Sequence, residues 1–191
     1  MKKKAALLVG MLALVALIAG AGVLYDRMSA ENLPAENMAP AETQPTEEED
    51  AEPVAVPDFT VLDKADNEVR LSDFIGKPVI LNFWASWCGP CKSEMPEFET
   101  AYQEYGEEIQ FMMVNLTDGS RETVESASEY IDGQGYTFPV FFDTEADAAI
   151  TYGATSIPVT YFVNAEGRLA AYGRGMLSAE TLQTGIDMIF P

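Results

Sequence analysis

The chain has 191 residues, no histidine, two cysteines, and a formal charge of −20 from 31 acidic against 11 basic side chains. That length holds one domain plus appendages, and so acidic a field disfavours nucleic acid and anionic membrane surfaces as partners while helping solubility. Two cysteines without histidine also fall short of the four ligands that a structural zinc site takes.

Lys2, Lys3 and Lys4 open the chain, and Ala5 to Tyr25 follow without a charge. As a helix those 21 residues would span about 32 Å, close to the hydrocarbon thickness of a bilayer. The lysines orient such a segment with its N-terminus in the cytoplasm and the rest of the chain outside. Its length exceeds the apolar region of a cleaved signal, so residues 1–25 are expected to form a signal-anchor, with cleavage after Ala21 or Ala30 as the alternative. No cysteine stands near for lipid attachment. Residues 26–56 are rich in Pro, Glu and Ala. They lack the apolar content to offset ordering entropy and are expected to be a disordered acidic linker.

From residue 57 to 191 the chain reads as one α/β domain. "DFTVLD" and "NEVRL" suggest two short strands around a turn at Ala65–Asn67, and the almost wholly apolar "PVILNFWA" suggests a central strand covered on both faces. After the cysteines, Met95, Phe98, Tyr102 and Tyr105 recur at helical spacing, with Gly106 as terminator and Pro96 predicting a kink. "IQFMMVNL" is the next strand, "RETVESASEYIDG" a helix with Val124, Ala127 and Ile131 on one face, "FPVFFD" a strand, and "TEADAAITYG" a short helix. "VTYFVN" and "RLAAYG" form a hairpin, and a last helix begins at Ser178 with Leu182, Ile186 and Ile189 facing inward. Phe111, Met112, Met113 and Phe142 are read as core. This order implies a mixed central sheet with helices on both faces.

Both thiols lie in "NFWASWCGPCKSEMPEF", at the junction of the central strand and its helix. A disulfide between Cys88 and Cys91 closes so small a loop that it removes little chain entropy. Haem attachment would need a histidine after the second cysteine, where Lys92 stands. Exchange chemistry remains. Thiolate is the attacking species, and unpaired N–H groups at a helix start favour an anion there. Cys88 at the helix start is expected to attack first, and Cys91, nearly one turn inside, to resolve the mixed disulfide. Gly89 keeps the turn tight, and Pro90 suits a position that needs no donor. Two cysteines suffice for this cycle, so neither metal nor cofactor is expected.

Glu94, three positions after Cys91, fits two readings by spacing: a solvated helix glutamate beside Glu97 and Glu99, or a proton acceptor for a buried thiol. Pro158 in "TSIPVTYF" stands at the mouth of an apolar strand, as a first or edge residue.

The segment "VILNFWASWCGPCKSEMPEF", together with "PDFTVLD", "LSDFIGKP" and "FPVFFDTEADAAITYGATSIPVTYFVNAEG", resembles the thioredoxin superfamily, and within it the membrane-tethered TlpA/ResA-like thiol–disulfide oxidoreductases. The likeness runs from about Pro57 to Phe190. It implies a thioredoxin-like fold with an N-terminal strand extension and an insertion, Cys88 as nucleophile and Cys91 as resolving thiol. By the same resemblance Pro158 is the cis-proline beside the dithiol, the backbone of Ile157 pairs with the partner's extended chain, Trp87 covers the disulfide, and Glu94 is the acidic residue near the active site. Two departures stand out. Ordinary thioredoxins carry a buried aspartate where this chain has Asn82, which leaves proton transfer to another group, and the Gly-Pro dipeptide is that of cytosolic thioredoxin.

The leading functional expectation is a tethered extracytoplasmic reductase that takes electrons from a membrane donor and reduces disulfides of exported proteins, apocytochrome c in cytochrome c maturation among them. An alternative is an electron donor to an exported methionine sulfoxide reductase or peroxidase. A third, from a different class, is a non-catalytic tethered binding module with a structural disulfide. Peroxidase activity of its own is disfavoured, because the dithiol occupies the place of a peroxidatic cysteine motif.

Overall fold

The computed structural model describes residues 38–40 and 55–191. The expected anchor and most of the expected linker lie outside them. Among the described residues no helix is long and apolar enough to cross a membrane.

Among the described residues eight strands form one mixed sheet: β1 (Met38–Pro40), β2 (Thr60–Leu62), β3 (Glu68–Arg70), β4 (Val79–Trp84), β5 (Gln110–Asn115), β6 (Val140–Phe142), β7 (Val159–Val163) and β8 (Leu169–Arg174). Their order across the sheet is β1-β8-β7-β4-β5-β6-β2-β3. β4 pairs in parallel with β5, and β5 with β6, whereas β7 runs antiparallel to both β4 and β8. Within the stretch read as linker, Met38–Pro40 departs from that reading: it lines up against β8 with Met38 opposite Gly173.

Side chains alternate along the central strands, and each face receives its own helices. Ile80, Trp84, Phe111, Met113 and Phe162 point to the side that packs α1 (Gly89–Tyr105), α2 (Val124–Gln134) and α4 (Ala179–Ile189). Leu81, Phe83, Met112, Val114 and Val163 point to the other, covered by α3 (Asp147–Tyr152) and by Phe59, Val61 and Leu71 of the N-terminal strand region. Full burial of each such side chain stabilises by about 1.5–3 kcal/mol. The two parallel crossovers, β4 to β5 and β5 to β6, place α1 and α2 on the same face, as right-handed connections require.

Local chemistry sets the boundaries. α1 runs unbroken through Pro96 and ends at Gly106. The C-cap φ there is −66°, so glycine is demanded by space rather than by handedness: a Cβ would lie 2.6 Å from both the ring and the carbonyl oxygen of Tyr102. α2 begins later than the span expected from Arg121, because Thr123 caps it and the two residues before it belong to a turn organised by Asp118. α3 is likewise delayed to Asp147, its Ala148 and Ala149 N–H groups donating to the Asp143 carboxylate. α4 starts with Ser178 Oγ accepting from Thr181 N–H, and Leu182, Ile186 and Ile189 are buried as expected. Where α4 crosses β7, Gly185 lies so near Phe162 that a Cβ would meet the ring at 2.3 Å.

Candidate active site

β4 delivers the chain to its C-terminal end, and the short loop Ala85–Ser86–Trp87 carries it into α1. Cys88 is the N-cap of that helix, with Gly89 and Pro90 in the first turn. Its Sγ accepts from Cys91 N–H at 3.2 Å, so one of the orphan donors of the helix start is aimed at sulfur. Cys88 and Cys91 are joined as a disulfide with Cα atoms 5.3 Å apart. Cys88 keeps 5% of its surface exposed and Cys91 none.

The loop before β7 closes over this sulfur. The Ile157–Pro158 peptide bond is cis, and the Ile157 carbonyl oxygen lies 3.8 Å from Cys88 Sγ. Pro158 is buried and Ile157 half-buried. The Pro158 carbonyl accepts from Gly175 N–H at 2.8 Å, which joins this loop to the end of β8. Trp87 is 41% exposed, and the Arg121 guanidinium stacks 3.6 Å from its ring centroid.

Beneath the dithiol, Glu94 faces inward and only 1% of it is exposed, in contrast to the solvated helix glutamate that spacing alone allowed. Its Oε2 accepts from Leu177 N–H at 2.8 Å and its Oε1 from Asn82 Nδ2 at 2.9 Å. Burial dominates and pushes the carboxyl up to about 7, with the two hydrogen bonds opposing. Asn82 Nδ2 also donates to Thr160 Oγ1 at 3.0 Å, whereas its buried Oδ1 has no partner among the described residues. This orientation suits an ionised Glu94. With the amide reversed, Oδ1 would accept from the Thr160 hydroxyl and from a protonated Glu94, so the asparagine can serve either charge state.

Glu122 and Arg121 carry no signal in the sequence, where they are two charges in the first turn of the helix expected over "RETVESASEYIDG". Glu122 is wholly buried. Its carboxylate accepts from Ser86 N–H at 2.8 Å, from Ser86 Oγ at 2.7 Å and from Asn115 Nδ2 at 2.7 Å. A carboxylate from the β5–α2 loop thus fixes the residue two positions before Cys88.

Comparison with known proteins agrees with this geometry. The model of the AhpC/TSA family matches residues 54–172. The chain is 37% identical over 142 residues to the thiol–disulfide oxidoreductase ResA of Oceanobacillus iheyensis, covering 72% of each chain. Among solved structures, StoA from Bacillus subtilis shares 26% identity at a TM-score of 0.59, over 70% of this chain and 98% of that one. The exposed lipoprotein thioredoxin of Streptococcus pneumoniae shares 30% at a TM-score of 0.60, over 69% and 99%. A thioredoxin-like sheet with a cysteine pair at the start of its first long helix, and these relatives, lead to one statement: the chain belongs to the AhpC/TSA family and, within it, to the thiol–disulfide oxidoreductases of the ResA and StoA type.

Proposed function

We propose that this domain reduces disulfides of exported proteins, apocytochrome c among them, while tethered to the membrane by residues 5–25 and recharged by a membrane dithiol donor. The observation that carries the reading is the seat of Cys88 Sγ, between the N–H of Cys91 at 3.2 Å and the carbonyl of Ile157 at 3.8 Å. A sulfur so seated, with a helix-start donor on one side and a backbone carbonyl on the other, supports attack on an extended chain lying along Ile157.

In the reduced protein the Cys88 thiolate attacks one sulfur of the substrate disulfide. That S–S bond breaks, a Cys88–substrate bond forms, and the first substrate thiolate leaves. Cys91 then gives up its proton, attacks Cys88 Sγ and expels the second substrate thiolate. Two electrons have passed to the substrate, and the Cys88–Cys91 bond has formed. Glu94, one turn from Cys91 on the buried side of α1 and titrating at about 7, is the acceptor for the Cys91 proton. The bond between Asn82 and Glu94 replaces the buried aspartate of ordinary thioredoxins with a neutral amide. Ile157 and Pro158 form the ledge along which the substrate chain lies, and Trp87 forms its rim.

Insulin reduction by dithiothreitol tests the reading. Wild type accelerates it and Cys88→Ser does not; equal rates would leave the disulfide a structural one. Direction follows from the reduction potential, expected near thioredoxin's, about −270 mV, and far below the roughly −120 mV of a DsbA-type oxidant. A value above about −150 mV would reverse the assignment. Mixed disulfides trapped on Cys91→Ala identify the substrates.

A further inference from the structure

In a chain carrying −20, a fixed cation stands on the rim of the dithiol. The Arg121 guanidinium lies 3.6 Å from the centroid of the Trp87 ring, and Trp87 immediately precedes Cys88. Two ion pairs occur among the described residues, Lys64 with Asp132 and Arg70 with Asp58, and Arg121 belongs to neither. Among the described residues its charge has no direct carboxylate partner.

The stack is built from both sides. Asp118 Oδ1 accepts from the backbone N–H groups of Ser120, Arg121 and Glu122 at 2.7, 2.7 and 3.1 Å, and Gly119 N–H donates to the Glu122 carbonyl at 2.9 Å. The Asp118 carboxylate is thus turned toward its own loop, held at about 2 by those donors. The buried Glu122 side chain then grips Ser86 through its N–H and its hydroxyl. Glu122 follows Arg121, and Ser86 precedes Trp87. One pair of hydrogen bonds therefore holds the cation and the ring in register. A surface arginine that merely drifts over an aromatic has no such frame.

We propose that Arg121 is a specificity-determining residue, stationing a positive charge beside Cys88 that favours disulfides bearing an acidic group next to the sulfur under attack. This rests on Cys88 as the attacking sulfur. A unit charge several ångströms away in partly screened surroundings changes the encounter and the transition state by about three- to tenfold per charge. The chain as a whole is strongly acidic and repels the same substrates at long range, so the arginine favours acidic groups near the reacting sulfur and discriminates by position. The expected partner segment carries Asp or Glu within a residue or two of its cysteine.

The test reacts the dithiothreitol-reduced protein, freed of excess reductant, with three small disulfides: dianionic 5,5′-dithiobis(2-nitrobenzoate), neutral hydroxyethyl disulfide and dicationic cystamine. In Arg121→Ala the anionic probe slows about three- to tenfold and cystamine holds or quickens, while the neutral probe stays within about twofold. Arg121→Lys restores most of the anion rate, and 0.5 M salt narrows the gap between wild type and Arg121→Ala. Lys64→Ala, an equal change of net charge at the β2–β3 turn, leaves all three ratios alone. Anionic and cationic rates that change by one common factor, or do not change, overturn the proposal. Cys88→Ser separates the two ideas: a variant that still reacts with the neutral probe at the wild-type rate would refute the assigned nucleophile, whereas an inert Cys88→Ser combined with unmoved Arg121→Ala ratios refutes the role of Arg121 alone.

Discussion

Glu94 Oε2 and the backbone N–H of Leu177 meet at 2.8 Å, so the helix that carries the cysteines is bonded to the loop joining β8 to α4 through one buried carboxylate. Because burial raises this group from 4.5 to about 7, the folded protein holds a proton that the unfolded chain has released between those values. The stability linked to that proton is fully present below pH 4.5 and is lost as pH rises through about 7, a change of about 3 kcal/mol. Urea midpoints of the oxidised protein should fall between pH 5 and pH 8, and those of Glu94→Gln should stay flat by comparison. Glu94→Gln should also slow exchange; pH–rate profiles that coincide with wild type would remove Glu94 from the mechanism.

Asn82→Asp sets a second carboxyl beside the first, at the position from which Nδ2 now reaches Glu94 Oε1 across 2.9 Å. Two like charges that close do not ionise together, so the pair titrates in two separated steps. Asn82→Asp should stand near wild type in stability at pH 5 and fall about 2 kcal/mol or more below it at pH 8. An equal loss at both values would mean that the substitution acts through packing.

Glu122→Ala leaves the N–H and hydroxyl of Ser86 and the amide of Asn115 without their acceptor, at a cost of about 3 kcal/mol or more. Glu122→Gln keeps one acceptor oxygen and should lose roughly half as much. Hydrogen exchange at the Ser86 amide is the direct readout, and it should quicken in the order wild type, Gln, Ala. Protection that is unchanged in the alanine variant would show that the loop is held by something else.

Gly185→Ala brings a methyl group to within 2.3 Å of the Phe162 ring, where α4 rests on β7. Destabilisation of about 1–3 kcal/mol should follow, and Phe162→Leu in the same chain should recover part of it as a coupling in a double-mutant cycle. Simple additivity would show that the helix shifts outward and leaves the ring untouched.

The legible parts of this molecule are those written in adjacent residues. "PVILNFWA" and "IQFMMVNL" announce β4 and β5 because strands covered on both faces must be apolar throughout. Ser178 announces α4, and the cysteine spacing announces the dithiol. Resemblance supplied the cis state at Pro158 and the place of Glu94 near the active site; spacing supplied neither. What stayed hidden depends on partners far away in the chain. Ser86 and Glu122 are 36 positions apart, and nothing distinguishes that glutamate from the other acids of so acidic a sequence. The late start of α2 has the same origin, since the expected helix ran back through Arg121 and Glu122, which the Asp118 turn and the Ser86 contact hold out of it.

The grip of Glu122 on Ser86 also bears on protein engineering. The redox loop is not a portable cassette: "WCGPC" transplanted into a foreign scaffold would arrive without the buried carboxyl group that braces its N-terminal flank. A successful graft must bring the β5–α2 connection along, or invent another acceptor for two donors at the bottom of the loop.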